Sequence, residues 1–245
     1  MKSELCSYSL EACRTAAGLG IDRVELCASP ADGGITPSMG MMTEACAIPG
    51  IEVSVMIRPR GGDFLYTDEE FRTMLHDIGH ARRAGATGVV FGILSAEGKV
   101  DIERTRLLVE AAQGMETTFH RAIDMTQDYL QAVEDVISTG CTRILTSGGY
   151  DKAVEGIDNI VQAVTIASRR IEIMAGSGVV ASNALQLAET GVDALHFSAK
   201  KMIPGRMLYR NPRISMGGTT AIDEYALRVV DEEEARSIVK LIKQL

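Results

Sequence analysis

The sequence predicts a single-domain α/β protein, a (β/α)8 TIM barrel, over its 245 residues. Short apolar runs of strand length alternate eight times with longer helical patterns, and that repeat is the signature of the fold. Polar and glycine residues also gather at the C-terminal ends of the strand segments, where such barrels keep their chemistry. A doubly wound open sheet is the runner-up. It would show fewer strands and a Gly-rich turn after the first, where this chain has Ser7-Tyr8-Ser9.

Taken in order, strands are expected at 4–7, 23–27, 52–58, 88–94, 117–120, 143–147, 172–176 and 194–198. Helices fall between them at 10–18, 39–47, 68–84, 102–112, 128–138, 157–167 and 181–189, with a last one at 232–245. Some boundaries are explicit in the residues. Thr67-Asp68-Glu69-Glu70 reads as a cap followed by first-turn acids, and Gly85, Gly140 and Gly191 stand where helices should stop. The stretch 200–224 after strand eight is too long for an ordinary βα loop and carries Pro204, Pro212 and Gly217-Gly218. Its apolar content (Met202, Met207, Leu208, Tyr209, Ile214, Met216) argues against disorder. A lid or a subunit contact is expected there, the latter making a homodimer.

Composition removes several function classes. A net charge of -8 argues against a nucleic-acid backbone binder, which needs a basic face. No run of about 18 apolar residues occurs, and Met1-Lys2-Ser3 leads straight into a strand, so neither a membrane span nor a cleavable signal is expected. The cysteines Cys6, Cys13, Cys27, Cys46 and Cys141 are odd in number, scattered and without a C-x-x-C pair. That usage fits reduced thiols in a cytoplasm. Tryptophan is absent, so stacking platforms for bases or sugars are not expected.

Strand alternation then points side chains at one mouth. If Val24 and Leu26 face the helices, Glu25 and Cys27 face the barrel interior, and Cys6 follows by the same logic. Arg58, His120 and His196 are inward by the phases of Ile57, Phe119 and Phe197. A buried carboxylate or guanidinium needs a partner, so Glu25 and Arg58 on neighbouring strands are expected to pair. The opposite strand ends read as plainer. After strand five, His120-Arg121-Ala122-Ile123-Asp124 supplies three charged or titrating groups, for which the plain structural account is a core imidazole and an Arg121–Asp124 surface pair.

Ser147-Gly148-Gly149 and Gly176-Ser177-Gly178 follow strands six and seven, the second just before a helix start, a common phosphate seat in barrels. Together with Ser198, Arg58, Arg121 and Lys200 they would receive a small anionic ligand, with His120 and Glu25 as acid/base groups. Cys6 and Cys27 on adjacent strands offer soft donors suited to Cu(I), and Met39, Met41 and Met42 could add a thioether. Buried cysteines and methionines serve equally as packing residues.

Several strings together resemble the CutC family. They are Asp22-Arg23-Val24-Glu25-Leu26-Cys27, Gly33-Gly34-Ile35-Thr36-Pro37-Ser38, Met56-Ile57-Arg58-Pro59-Arg60-Gly61-Gly62-Asp63-Phe64, Thr118-Phe119-His120-Arg121-Ala122-Ile123-Asp124, Leu145-Thr146-Ser147-Gly148 and Ala175-Gly176-Ser177-Gly178-Val179. The resemblance spans essentially the whole chain. It implies a TIM barrel, a cytoplasmic and oligomeric protein, a place in copper homeostasis, and Cu(I) on Cys6 and Cys27. Where some relatives carry a Cys pair on strand one, this chain has Cys6-Ser7, and Ser177 stands where some have a further Gly. Three classes stay open at this point: a copper binder, an enzyme acting on a small anion, and an interaction protein with an inert barrel.

Overall fold

Eight strands close on themselves, each parallel to the next: β1 Lys2–Ser7, β2 Arg23–Leu26, β3 Glu52–Met56, β4 Gly88–Phe91, β5 Glu116–Phe119, β6 Arg143–Thr146, β7 Glu172–Gly176 and β8 Ala194–Phe197. Pairing of β1 with β8 completes the barrel, with Glu4 opposite His196. This computed structural model describes residues 1–214 and 223–244. The helices α1 Leu10–Leu19, α2 Met39–Cys46, α3 Asp68–Ala84, α4 Ile102–Ala111, α5 Tyr129–Thr139, α6 Ile157–Ala167, α7 Ala184–Ala188 and α8 Glu232–Ile242 surround it. The predicted barrel is therefore the fold.

Local chemistry sets the helix ends. Ser9, Ser38, Asp101 and Asp128 each accept a backbone N–H of the first turn. Thr67 and Glu70 form the reciprocal capping box that opens α3. Gly85 and Gly140 close α3 and α5 in the left-handed conformation that costs glycine little. One face of each strand packs against these helices: Leu5, Val24, Leu26, Val55, Ile57, Phe91, Phe119, Ile144 and Phe197 are all buried in that outer core.

The inner face differs from the sequence reading at its N-terminal end, which is not plain. Arg23 and Arg143 are fully buried there. Arg143 holds Glu116 at 2.6 Å and Glu172 at 2.8 Å and donates to the Thr118 hydroxyl. Arg23 pairs with Glu4 and lies 3.7 Å from Glu116 and 3.8 Å from Glu52. Two guanidiniums thus plug the barrel floor, each balanced by carboxylates from neighbouring strands. Charged residues at strand starts read as solvated ends, yet Arg23 shares the inward phase of Glu25.

The stretch 200–224 is also not simply irregular. It begins as β9 Lys200–Pro204, which pairs antiparallel with β10 Ala226–Val230 just beyond it. The two strands form the base of an arm inserted between β8 and α8. Residues 215–222, including Met216 and Gly217-Gly218, lie outside the described residues.

Candidate functional site at the barrel mouth

Register assembles the site. Cys6 stands opposite Glu25 in the β1–β2 ladder, and Glu4 opposite His196 in the β1–β8 ladder. Inward side chains at matched heights on adjacent strands must touch. One ligand atom each from Cys6, Glu25 and His196 accordingly lies within 4.8 Å of the others. The Cys27 thiol donates to Glu25 Oε2 at 3.4 Å, and Cys27, Met56 and Val90 form a small inner cluster with Cys6 and Tyr8.

His196 is oriented from behind. Its Nδ1 bonds Glu4 Oε1 at 2.7 Å, leaving Nε2 toward Glu25 Oε2 at 3.8 Å. Burial would depress this imidazole, but Glu25, the Cys6 sulfur and Glu4 outweigh it and hold its pKa well above the usual range. The Cys6 sulfur is pulled well below the ordinary thiol range by a hydrogen bond from Cys27, against burial and with help from His196. Cys27 goes the other way, raised by burial and by its bond to Cys6. Burial, moderated by His196, pushes Glu25 up to about 8. Glu4, which burial would raise, is brought to about 2 by His196 and Arg23. The mouth therefore shifts Cys6 toward the thiolate and His196 toward the imidazolium, and shifts Cys27 toward the protonated thiol.

Two spaces open from this cluster. The inner one has a volume of about 260 Å³ and is walled by Met56, Phe64, Leu145, Arg58 and His120. The outer one, about 620 Å³, reaches Gly178, Ser198 and Arg228. Both are bounded by Cys6, Arg121 and His196.

Glu25 and Arg58 both face the inner space, as alternation requires, but they are not paired. Glu25 registers with Ser54 on β3, while Arg58 lies four residues further along. At about 3.3 Å per residue that is a large offset in height. Arg58 instead donates to the carbonyls of Asp32, Gly34 and Gly62 at 2.6, 3.0 and 2.7 Å. His120 follows β5, and its Nδ1 accepts the Ala122 N–H at 3.2 Å. Gly92 makes room for that ring, since a Cβ there would come 2.5 Å from Nδ1.

The turn after β6 is internally satisfied. Asp124 accepts from Thr146, from the backbone and hydroxyl of Ser147, and from the Gly149 N–H, and pairs with Arg121 at 2.9 Å. Arg121 and Asp124 do pair, with the Asp124 side chain buried rather than at the surface. Ser147 also receives Arg121, and the Gly148 N–H goes to the Thr146 hydroxyl. Gly176 is demanded by packing: a Cβ there would lie 2.6 Å from Leu145 Cδ1 and 3.2 Å from His196 Cβ. The helix after β7, expected from residue 181, begins at Ala184 and runs five residues, too short to serve as a strong anion seat. Ser177 binds the Asp151 carbonyl at 2.6 Å.

Met42 sits in the outer core and Met39 is exposed, so the thioether near the cysteines is that of Met56. The sequence reading also missed Glu4 and Tyr8. Both share the inward phase of Cys6 on or just past β1, a signal that was present.

The profile of the CutC family matches residues 1–201. A CutC family protein of Bacteroides thetaiotaomicron is 46% identical over 242 residues, covering 98% of this chain and 97% of that protein. Another from Glaesserella parasuis is 45% identical over the full length of both. A solved Streptococcus agalactiae chain that carries the name copper homeostasis protein CutC superposes with a TM-score of 0.76 at 39% identity, covering 80% of this chain and 97% of its own. Thiamine phosphate pyrophosphorylase from Pyrococcus furiosus, at 13% identity and a TM-score of 0.61, shares the fold alone. With the family profile matched over residues 1–201 and relatives at 45–46% identity along the chain, the protein belongs to the CutC family.

Proposed function

We propose that the protein binds Cu(I) as cargo at the barrel mouth, through Cys6 and Cys27 with His196 beside them. The observation that carries this reading is the convergence of Cys6, Glu25 and His196 within 4.8 Å, with the Cys27 thiol on Glu25. The donor set fits the ion: thiolate, imidazole and a nearby thioether are soft ligands suited to Cu(I) in low coordination. Glu4 on His196 Nδ1 supplies the carboxylate support that fixes a ligating imidazole. Cys6 offers its sulfur already depressed toward the thiolate. Glu25, a hard oxygen group, is not counted among the copper ligands. The name of the Streptococcus agalactiae relative points the same way.

The setting that goes with this reading is the cytoplasm, since all five cysteines are free thiols. No described helix is long and apolar enough to cross a membrane. The assembly that goes with it is a homodimer joined through the arm between β8 and α8, where Met207, Leu208 and Tyr209 are exposed.

Anaerobic Cu(I) titration against a competing chelator tests the metal reading. Wild type should hold one ion tightly, and Cys6→Ser and Cys27→Ser should each lose about tenfold or more in affinity. Equal competition by wild type and the double variant would make the thiols packing residues. Tight Zn(II) with weak Cu(I) would assign the site to the wrong ion.

A further inference from the structure

One sulfur at the mouth is placed for covalent chemistry that metal binding does not use. Cys6 and His196 bound both the inner and the outer space, so each has an open side. A ring nitrogen of His196 lies within 4.8 Å of the Cys6 sulfur. The Nδ1 atom is committed to Glu4 Oε1 at 2.7 Å, and Glu4 is itself fully buried and fixed by Arg23. Nε2 is the nitrogen left for the sulfur. A nucleophile, a base beside it and a carboxylate holding the base from behind form the arrangement by which proteins activate a thiol. Substrate-free sites commonly keep the nucleophile–base distance this loose.

The outer space supplies room and polarity for a substrate. Its volume, about 620 Å³, falls in the range of small-molecule sites. Lys200 and Arg228 line it, and neither forms an ion pair among the described residues. Arg228 stacks over the Tyr8 ring at 4.7 Å, and Tyr8 stands on the same wall two residues beyond Cys6. Of the carboxylates on that wall, Glu234 accepts the Ala181 N–H at 2.7 Å and Asp231 lies 3.6 Å from Lys201, so the uncommitted charge is positive. Two of the five non-glycine residues with left-handed φ among the described residues, Ser177 at +81° and Ala199 at +37°, also border this space. Backbone strain of that kind gathers at functional sites.

We propose that the metal-free protein hydrolyses a small ester or thioester whose acyl part carries a carboxylate, with Cys6 as the nucleophile. His196 Nε2 takes the Cys6 proton as Sγ attacks the carbonyl carbon, and the C=O electron pair moves onto oxygen, with the Tyr8 hydroxyl as donor to it. The pair returns, the bond to the leaving oxygen or sulfur breaks, and that atom receives the proton from His196. A water from the outer space then attacks the Cys6 thioester and gives a proton to Nε2. The C–S bond breaks, the acid leaves and Sγ recovers the proton, so water is the sole co-substrate. Lys200 and Arg228 take the carboxylate of the acyl chain. Glu4 acts through His196 and is a positioning residue. This activity goes beyond copper binding and does not rest on it; one sulfur cannot hold an ion and attack a carbonyl at the same time.

The test uses protein kept in chelator, so that copper plays no part in the result. Mono-4-nitrophenyl succinate is the anionic probe and 4-nitrophenyl butyrate the neutral one. Wild type should turn over the succinate ester many times per chain, with kcat/KM about tenfold above that for butyrate. Cys6→Ser should abolish turnover, and His196→Gln should lower kcat about a hundredfold. Glu4→Gln should lower kcat about tenfold with KM unchanged, a split that loosened packing at the site would not give. Arg228→Gln should remove most of the preference for the succinate ester. In wild type, iodoacetate should carboxymethylate Cys6 before the other four cysteines, read by peptide mass spectrometry, and this arm needs no variant to fold. A single acylation without turnover, turnover that survives Cys6→Ser, equal rates on the two esters, or labelling led by another cysteine would each overturn the proposal. A failed copper titration would leave turnover standing, and absent turnover would leave copper binding standing.

Discussion

His120 illustrates how much one side chain's surroundings decide. Its pKa is held near 3 by burial and by Arg58, while the unfolded chain's histidine titrates at the ordinary 6.5. Below 6.5 the unfolded state takes up a proton that the folded state refuses until about 3. Stability contributed by this group is therefore present above 6.5 and is lost as pH falls toward 3. Each unit of separation is worth at most about 1.4 kcal/mol. Glu25, raised to about 8, has the opposite sign, gaining stability as pH falls through that value toward its unfolded 4.5. Comparing variants cancels Glu25 and isolates His120. Urea midpoints at pH 7 and pH 5 should fall more for wild type than for His120→Asn. Parallel losses would mean that the ring is not held neutral in the fold.

Among the elements, the two buried arginines of the floor are not equivalent. Arg23 and its partner Glu4 are both fully buried, whereas the carboxylates that hold Arg143 are about 40% exposed. Arg23→Met strands a buried carboxylate and should cost about 3–5 kcal/mol. Arg143→Met leaves Glu116 and Glu172 free to hydrate and should cost about 1–2 kcal/mol, nearer to the value of exposed pairs. Denaturant unfolding of the two variants checks the order. At the far end of the same strands, the sequence revealed far more about pattern than about height. The eight barrel strands and the helices around them arose from periodicity, whereas the β9–β10 ribbon was not foreseen, and alternation placed Cys6, Glu25, Arg58, His120 and His196 on the inner face. Alternation has no memory of register, however, and so the pairing of Glu25 with Arg58 failed. The ladder sets Glu25 beside Ser54 and Cys6, and Arg58 rises past them to the loops of Asp32 and Gly62. The floor was hidden for another reason: an arginine or glutamate at a strand start looks solvated until the barrel closes over it.

At the scale of the whole molecule, the arm between β8 and α8 is the one part outside the regular repeat. The family profile ends at residue 201, where the arm begins, while full-length relatives align across it. Leu208 is entirely exposed and Tyr209 is 71% exposed among the described residues, an apolar stretch of the arm. The dimer proposal places a second copy there. Sedimentation at micromolar concentration should give a dimer for wild type and a monomer for Leu208→Glu combined with Tyr209→Ser, with unchanged melting of the barrel. A monomeric wild type would leave the arm to another role.

The arginine floor has a further consequence for traffic. With Arg23 and Arg143 sealing one end, the barrel is a cul-de-sac, and both spaces at the mouth share Cys6, Arg121 and His196 as a common threshold. Ligands of either space therefore use the same open end of the barrel, and an ion held on Cys6 or His196 forms part of the wall of both.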